Sequence, residues 1–407
     1  MAAITVTSAN NNRTINGNRV CVRTAAGIPY VVVNDYTDES IEVWKGDAAT
    51  PTAFTEQDTA NNPDNTTYGS MSAAIDSTGI IHIVWCKYVS KSDDLLYITY
   101  NTGTDLFGTI ATINADLGGE STAVTNLYTS IAIDSNDIPH VAYVGVEANA
   151  GTVGQVVRYE NRIGGAWIGT GVEVEGQTGN VDCFKPSITI DADNKPVITY
   201  FNNDDFSVGT AIGNANDATS FTLFDIADGT AGHGWLSIAV DSSGNHWVAY
   251  KYYDGSGYYL RRQKHNYGDA WTTWQAADVL YNSTSLSDTA IAPSIICDGA
   301  DTYVFIELIN NDIYYFKNTD AGVSIETGTY NTAKAKWAYW VDFDSTGANR
   351  GAKTGGTNGS RTELDYTFTD ETATPDIWWN SLSIGAPPPA HTGDPFIITF
   401  GSVKKKT

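Results

Sequence analysis

The sequence predicts an all-β chain folded as one ring of repeated four-stranded antiparallel units, and three observations carry that reading. First, Ser, three small or aliphatic residues and Asp recur five times, at Ser72–Asp76, Ser130–Asp134, Ser187–Asp191, Ser237–Asp241 and Ser294–Asp298, with Asp-to-Asp steps of 58, 57, 50 and 57 residues. Second, the stretches opened by the first four Asp residues are alike: DSTGIIHIVW, DSNDIPHVAY, DADNKPVITY and DSSGNHWVAY. Third, long 3.6-period apolar patterns are missing, while Gly (38), Tyr (23) and Trp (11) are plentiful, as turn-rich strands require. A regular period of roughly fifty residues holding four strands is the signature of a β-propeller blade.

Within a unit, the first strand ends at the Asp. Asp followed by Ser, Asn, Asp or Gly is turn chemistry, because Asx side chains bond nearby backbone and Gly or Asn tolerates positive φ. The second strand carries a β-branched residue seven past the Asp (Ile83, Val141, Ile198, Val248) and an aromatic nine past it (Trp85, Tyr143, Tyr200, Tyr250). Positions seven and nine share one face, and the small or apolar residue at eight lies on the other, so both faces are buried. A third strand comes after a variable loop, at 95–100, 156–161, 258–263 and 313–318. A Gly/Asn/Asp turn closes it, with a Trp beyond in Gly164-Gly165-Ala166-Trp167 and Gly268-Asp269-Ala270-Trp271. A more polar fourth strand finishes the unit.

Weaker copies flank the five clear ones. Residues 20–33 fit strand–turn–strand, with Arg23 near the Asp position and one extra turn residue, and 340–351 put Asp344 in the Asp position, with 363–368 as the third strand. The expected count is about seven blades, with six or eight if a terminal copy is misread. The boundaries fall near 14–65, 66–118, 119–178, 179–230, 231–285, 286–335 and 336–385, with 386–407 a Pro-rich connector, a terminal strand and a basic tail. Closing the ring needs the last blade completed from the other terminus, or a separate clasp, since an open ring exposes strand edges. The candidate closing strands are 2–7 and 396–400.

Composition narrows the function. The net charge is −24, with only 23 Lys plus Arg in 407 residues. Nucleic acid is not an expected partner, because binding it needs clustered cations. No apolar run approaches the roughly 18 residues of a membrane span, so no membrane insertion is expected. The start, MAAITVTSANNN, lacks the basic and apolar segments of a secretory signal. Cys21, Cys86, Cys183 and Cys297 show no CxxC spacing, and Cys21 and Cys297 read as packed thiols.

The repeat resembles the blades of bacterial and phage propellers, in the style of the sialidase and Asp-box group, from about residue 18 to 380. MAAITVT also resembles the starts of tailed-phage structural proteins. These resemblances imply a virion component, made in the host cytoplasm without a signal peptide, with other virion proteins as partners and a host-surface glycan as the candidate ligand. The sequence departs from the sialidase pattern. An Asp box lies between third and fourth strands, whereas these Asp turns lie between first and second. A sialidase needs an arginine triad, and Arg158, Arg162, Arg261 and Arg262 fall in or just after third strands. No FRIP-like segment occurs, so sialidase activity is not expected.

The repeated residues read as structural, because a catalytic residue need occur only once. The Asp carboxylate serves its turn, the Ser bonds backbone across blades, and the position six past the Asp, which holds His82, His140, Val197 and Trp247, reads as packing. Candidate ligand residues lie on loops that break the repeat. Loops entering first strands and loops joining second to third strands share one end of the ring. They carry Tyr68, Tyr128, Phe184, Lys185, His233 and Trp235, and Lys87, Tyr88, Glu147, Asn202–Asp205, Tyr252–Asp254 and Asn310–Asp312. The expected ligand-binding set is Tyr88, Tyr128, Trp235, Asn203, Asp204, Asp205, Tyr253 and Asp254, since aromatic planes beside amides and carboxylates suit sugar rings. No catalytic residue, metal or cofactor is expected, although Asn202–Asp205 offers oxygen ligands for a structural Ca2+. The expected function is a non-catalytic structural or adhesion module. The alternative is a glycan-active hydrolase or lyase using carboxylates among Glu147, Asp204, Asp205 and Asp254.

Overall fold

Strand pairing in the computed structural model obeys the repeat. Six sheets have four strands that are consecutive in sequence. Blade 1 is Cys21–Arg23, Pro29–Asp35, Ser40–Gly46 and Phe54–Asn61, with Arg13–Thr14 also paired to its second strand. Blade 2 is Met71–Ile75, Ile80–Val89 and Ser92–Asn101, with Leu106–Phe107 and Ala111–Asn114 both on the outer edge of the third strand. Blade 3 is Thr129–Ile133, Pro139–Asn149, Thr152–Asn161 and Val172–Glu175. Blade 4 is Cys183–Ile190, Pro196–Asn202, Ser207–Gly213 and Phe221–Ala227. Blade 5 is Leu236–Val240, His246–Tyr253, Tyr258–His265 and Asp278–Ser283, and blade 6 is Ser294–Asp298, Asp301–Glu307, Ile313–Lys317 and Val323–Glu326. The structure describes residues 4–7, 13–14, 20–35, 40–61, 70–89, 92–115, 128–149, 152–175, 183–202, 206–227, 236–283, 293–298, 301–307, 313–318, 323–326, 363–370 and 376–383. Among them the one helical segment is the short 3-10 turn Ile163–Gly165.

A seventh sheet has three described strands, in the order Ile4–Thr7, Asp376–Ser383, Glu363–Asp370. Ile4 pairs with Trp379 and Thr5 with Trp378, so a strand near the start of the sequence edges the hairpin near its end. Glu363–Asp370 packs beside the inner strand of blade 1 and Ile4–Thr7 beside its outer strand. The expectation that 363–368 is a third strand is therefore corrected. Two strands, not one, lie outside it, so it sits one place nearer the axis. Spacing from Asp344 misled because the outer edge comes from the far end of the sequence. The candidate first strand at 340–344 and the candidate closing strand at 396–400 lie outside the described residues.

The core is a series of wedges between blades. Val84, Cys86, Leu95 and Tyr97 of blade 2 pack against Ile131, Ile133, Val141 and Tyr143 of blade 3. Tyr159 and Val157 meet Ile188, Ile198 and Tyr200 across the next gap. Phe201 and Val208 meet Leu236, Val248 and Tyr250, then Leu260 and Ala249 meet Ile295, Val304 and Phe316. Each inner hairpin is thus apolar on both faces because both faces meet a neighbour. Trp167 lies edge-on to Tyr97 of the preceding blade, with centroids 5.0 Å apart. Trp271 stacks on His265 at 4.1 Å and reaches Phe224 of the preceding blade. Cys21, Cys86 and Cys297 are buried. Gly209 is required by its partner: it pairs with Tyr200, whose ring occupies the space a Cβ would fill.

Candidate functional site

The two ends of the ring do different things. At the Asp end, polar groups are consumed by structure. Oδ1 of Asp76, Asp134, Asp191 and Asp241 each accepts the N–H groups two and four residues on, at 2.8–2.9 Å. The residue three past the Asp is left-handed in these four copies: Gly79 (φ 88°), Asp137 (64°), Asn194 (63°) and Gly244 (82°). Where it is not glycine, its side chain ties down the preceding blade. Asp137 accepts Ser77 N–H at 2.7 Å and also the Ser77 hydroxyl, and Asn194 Oδ1 accepts Ser135 N–H at 3.3 Å. In blade 1, Arg23 donates to Gly27 O and Ala49 O, both at 2.6 Å, so a cation gathers carbonyls where the other blades gather N–H groups.

The position six past the Asp is more than packing, which corrects the sequence reading. His82 Nε2 lies 3.2 Å from Asp76 Oδ2, and Trp247 Nε1 donates to Asp241 Oδ2 at 3.0 Å. His140 Nε2 stands 3.6 Å from Asp134 Oδ2. What His and Trp share is a ring N–H aimed at the carboxylate. Burial tends to raise the Asp76 pKa, but His82, the Ile80 N–H and the Thr78 hydroxyl outweigh it and bring it to about 2. Val197 offers no donor, and burial leaves Asp191 above the ordinary carboxylate range.

At the opposite end, blades 3, 4 and 5 bring different chemistry together. Tyr128, Lys185 and Trp235 occupy one repeat position, six before the Asp. Tyr128 precedes its first strand, and its carbonyl accepts Val144 N–H at 2.9 Å. Burial pushes its phenol up to about 12. Lys185 sits in a β-bulge: pairing holds at Phe184–Phe201, shifts, and resumes at Ser187–Thr199. Pro186 cannot donate to the ladder, and Lys185 takes the left-handed region at φ 56°, so the bulge re-aims its side chain. Lys185 Nζ lies 5.9 Å from the Tyr128 ring centroid, across the blade boundary. Its side chain is partly exposed yet densely surrounded. Burial and the nearby Lys251 charge push its pKa down to about 7. Lys251, itself 2% exposed, places Nζ 4.5 Å from the Tyr258 ring centroid, and Tyr258 packs on Tyr253 at 4.5 Å.

Of the expected binding residues, this cluster holds Tyr128 and Tyr253. Asp254 lies beside it with its carboxylate engaged: Oδ1 accepts Ser256 N–H (2.9 Å), Ser256 Oγ–H (2.7 Å) and Gly257 N–H (3.0 Å), and Oδ2 accepts Tyr259 O–H (2.7 Å). The Tyr259 bond leads the set that holds it well below the carboxylate range. The side chain of Tyr88, together with Trp235, Asn203, Asp204 and Asp205, lies outside the described residues. Asn202, the first residue of the suggested Ca2+ run, is buried and donates to Glu175 Oε1 at 3.3 Å. The arginines serve packing. Arg261 lies 3.5 Å over the Tyr252 ring, and Arg262 lies over Trp247 and donates to Asp278 at 2.7 Å. Among the described residues no group of three His, Cys, Asp or Glu is placed to hold a metal.

Lys251 was missed by the sequence reading, although a signal existed. Ten past the Asp, the other clear blades carry Cys86, Val144, Phe201 and Leu308, so a lysine there breaks the repeat.

Neither a family model nor a curated protein matches the sequence. Solved structures do match the fold. An ulvan lyase of polysaccharide lyase family PL25 is 10% identical with a TM-score of 0.57, over 94% of this chain and 96% of that one. A polysaccharide lyase, Uly1, is 9% identical at 0.54, over 94% and 99%. An α-L-arabinanase from Penicillium chrysogenum, complexed with arabinobiose, is 11% identical at 0.51, over 78% and 98%. At these identities the likeness is one of fold, and with the six sheets of four or five strands it makes this chain an all-β single β-propeller.

Proposed function

We propose that the chain is a carbohydrate-facing propeller that binds glycan at the Tyr128–Lys185–Lys251 end and acts as a non-catalytic adhesion module. The observation that carries this is the convergence of Tyr128, Lys185, Lys251, Tyr253 and Tyr258 from three consecutive blades, while the opposite end is filled by structural bonding. Tyrosine faces suit the apolar faces of sugar rings, and loops carried on a rigid scaffold are where binding groups concentrate. Several proteins sharing the fold are named for action on, or complexes with, carbohydrate. The acidic composition and the phage-like opening MAAITVT favour placement on a virion, docked to other virion proteins, with a host-surface glycan as ligand.

A second reading, a glycan-active enzyme, is favoured by one observation. Lys185, with its pKa near 7, has an amine able to take up a proton at neutral pH, beside a phenol. Hydrolysis through Asp254 has less support, because that carboxylate is held in its turn. Incubating the protein with a panel of immobilised and soluble polysaccharides separates the readings. Retention without release of oligosaccharides, weakened by Tyr128→Ala, is the expected result. Release of unsaturated or reducing ends would replace the adhesion reading with the enzyme. Retention of no polysaccharide would remove both.

A further inference from the structure

We infer that Tyr252, Tyr259 and Arg261 of blade 5 form a subsite for a carboxylate-bearing sugar residue, with its carboxylate on the Arg261 guanidinium and its ring on the tyrosine faces. This rests on the carbohydrate-binding reading and names its ligand class. Alternation along the hairpin puts Lys251, Tyr253 and Tyr258 on one face, and Tyr252, Tyr259 and Arg261 on the other, where Tyr252 packs against blade 4. Tyr252 and Tyr259 are cross-strand partners, both half-buried, with ring centroids 6.3 Å apart. The Arg261 guanidinium carbon lies 3.5 Å from the Tyr252 centroid and 5.5 Å from that of Tyr259. The aromatic pair breaks the repeat. At the same place blades 2, 3 and 4 pair Lys87 with Asp94, Gly145 with Val156 and Asn202 with Ser207.

Packing on Tyr252 occupies one face of the guanidinium and leaves its N–H edge. Arg261 is partly exposed, its Nε is buried without a hydrogen-bond partner, and among the described residues no carboxylate pairs with it. Comparable arginines are committed elsewhere. Arg262 donates to Asp278 at 2.7 Å. Arg158, which pairs with Tyr143 in blade 3 as Arg261 pairs with Tyr250, donates to Thr170 O at 3.1 Å. Asp254, at the hairpin tip, gives its oxygens to Ser256, Gly257 and Tyr259, so it fixes the Tyr259 ring and is turned into its own hairpin. A cation partly withdrawn from water without a counter-charge gains most from an anionic ligand. The planar fork of arginine matches a carboxylate through two parallel hydrogen bonds, and the tyrosine faces beside it suit the apolar face of the same sugar.

The test uses the full chain and two calorimetric titrants that differ only in charge: oligogalacturonate, and the same oligosaccharide with every carboxylate methyl-esterified. The expected result is that the acidic form binds more tightly, and that Arg261→Gln weakens it by about 10- to 100-fold, the worth of a charge-assisted hydrogen bond. The esterified form moves less than about twofold with that variant, within the reach of ordinary surface changes. Arg261→Lys restores only part of the loss, since an ammonium keeps the charge and gives up the fork. Tyr259→Leu weakens both forms. Lys317→Gln, whose lysine pairs with Asp301 in blade 6, is the control. The comparison of the two titrants on the unaltered protein covers the case of a variant that fails to fold. Esterified binding equal to or tighter than acidic binding, or acidic binding indifferent to Arg261→Gln or to Tyr259→Leu, overturns the inference and leaves the carbohydrate reading standing. Binding of neither form, with another polysaccharide of the panel retained, overturns the inference alone, and retention of none removes both.

Discussion

Ser130 Oγ accepts the backbone N–H of Ile188 at 3.3 Å, from the inner strand of one blade to the inner strand of the next. The same bond recurs from Ser72 to Ile131, Ser187 to Ile238 and Ser237 to Ile295, each at 3.3 Å. Inner strands of neighbouring blades share no ladder, so their facing N–H groups need another acceptor, and the serine of the repeat supplies it. Ser130→Ala leaves a buried N–H without this partner and should cost about 1–3 kcal/mol by chemical denaturation. Ser130→Ala and Ser237→Ala together should add, since the two bonds share no residue. An unchanged midpoint in both single variants would show that these bonds carry no stability.

Gly209→Ala should destabilise by about 1–3 kcal/mol, the usual cost of overpacking, because its methyl group meets the ring of Tyr200. Adding Tyr200→Leu should recover part of that loss by making room. A double variant no more stable than Gly209→Ala alone would rule out the clash as the cause.

Asn194 does two jobs that substitution can separate. Asn194→Gly keeps the left-handed turn and loses the bond to Ser135, whereas Asn194→Val loses the bond and also strains the backbone. The valine variant should be less stable than the glycine variant by roughly 1–2 kcal/mol in thermal or urea melts. Equal melts would mean that φ at 194 is not costly.

Stability should fall on the acid side in two stages. His246 is fully buried, and desolvation, with a smaller push from His265, brings its pKa down to about 3. An unfolded histidine takes its proton near 6.5, so between about 6.5 and 3 the unfolded chain binds more protons and stability drops as pH falls. The Asp76 contribution is complete above about 3.8 and is lost as pH falls from there through about 2. His246→Phe should flatten the unfolding free energy between pH 6.5 and 4 and leave the lower stage in place. An unaltered slope in that range would assign it to other groups.

The repeated parts of the fold were legible because blades 2 to 5 reuse them. A serine to bridge inner strands, an Asp to gather N–H groups and a left-handed third turn residue solve one packing problem in copy after copy, so period exposed them. The ring N–H shared by His82 and Trp247 was hidden by Val197, which drops the donor and makes the position look merely apolar. The placement of 363–368 failed because local spacing carries no information about a strand supplied from 4–7. Lys251 had no chance of being found by period, since a site that occurs once is written only in departures from the repeat.

The pairing of Ile4–Thr7 with Asp376–Ser383 sets an order of events at the ribosome. The strand at 4–7 emerges about 370 residues before its partner, and joining ends so far apart must overcome a large loop-closure entropy. The intervening blades can stack as they are made, each on the one before, but the seam cannot be sewn until translation has passed 383. Until then two raw edges face solvent, and they are the places where a nascent chain of this design would capture, or be captured by, a sister copy.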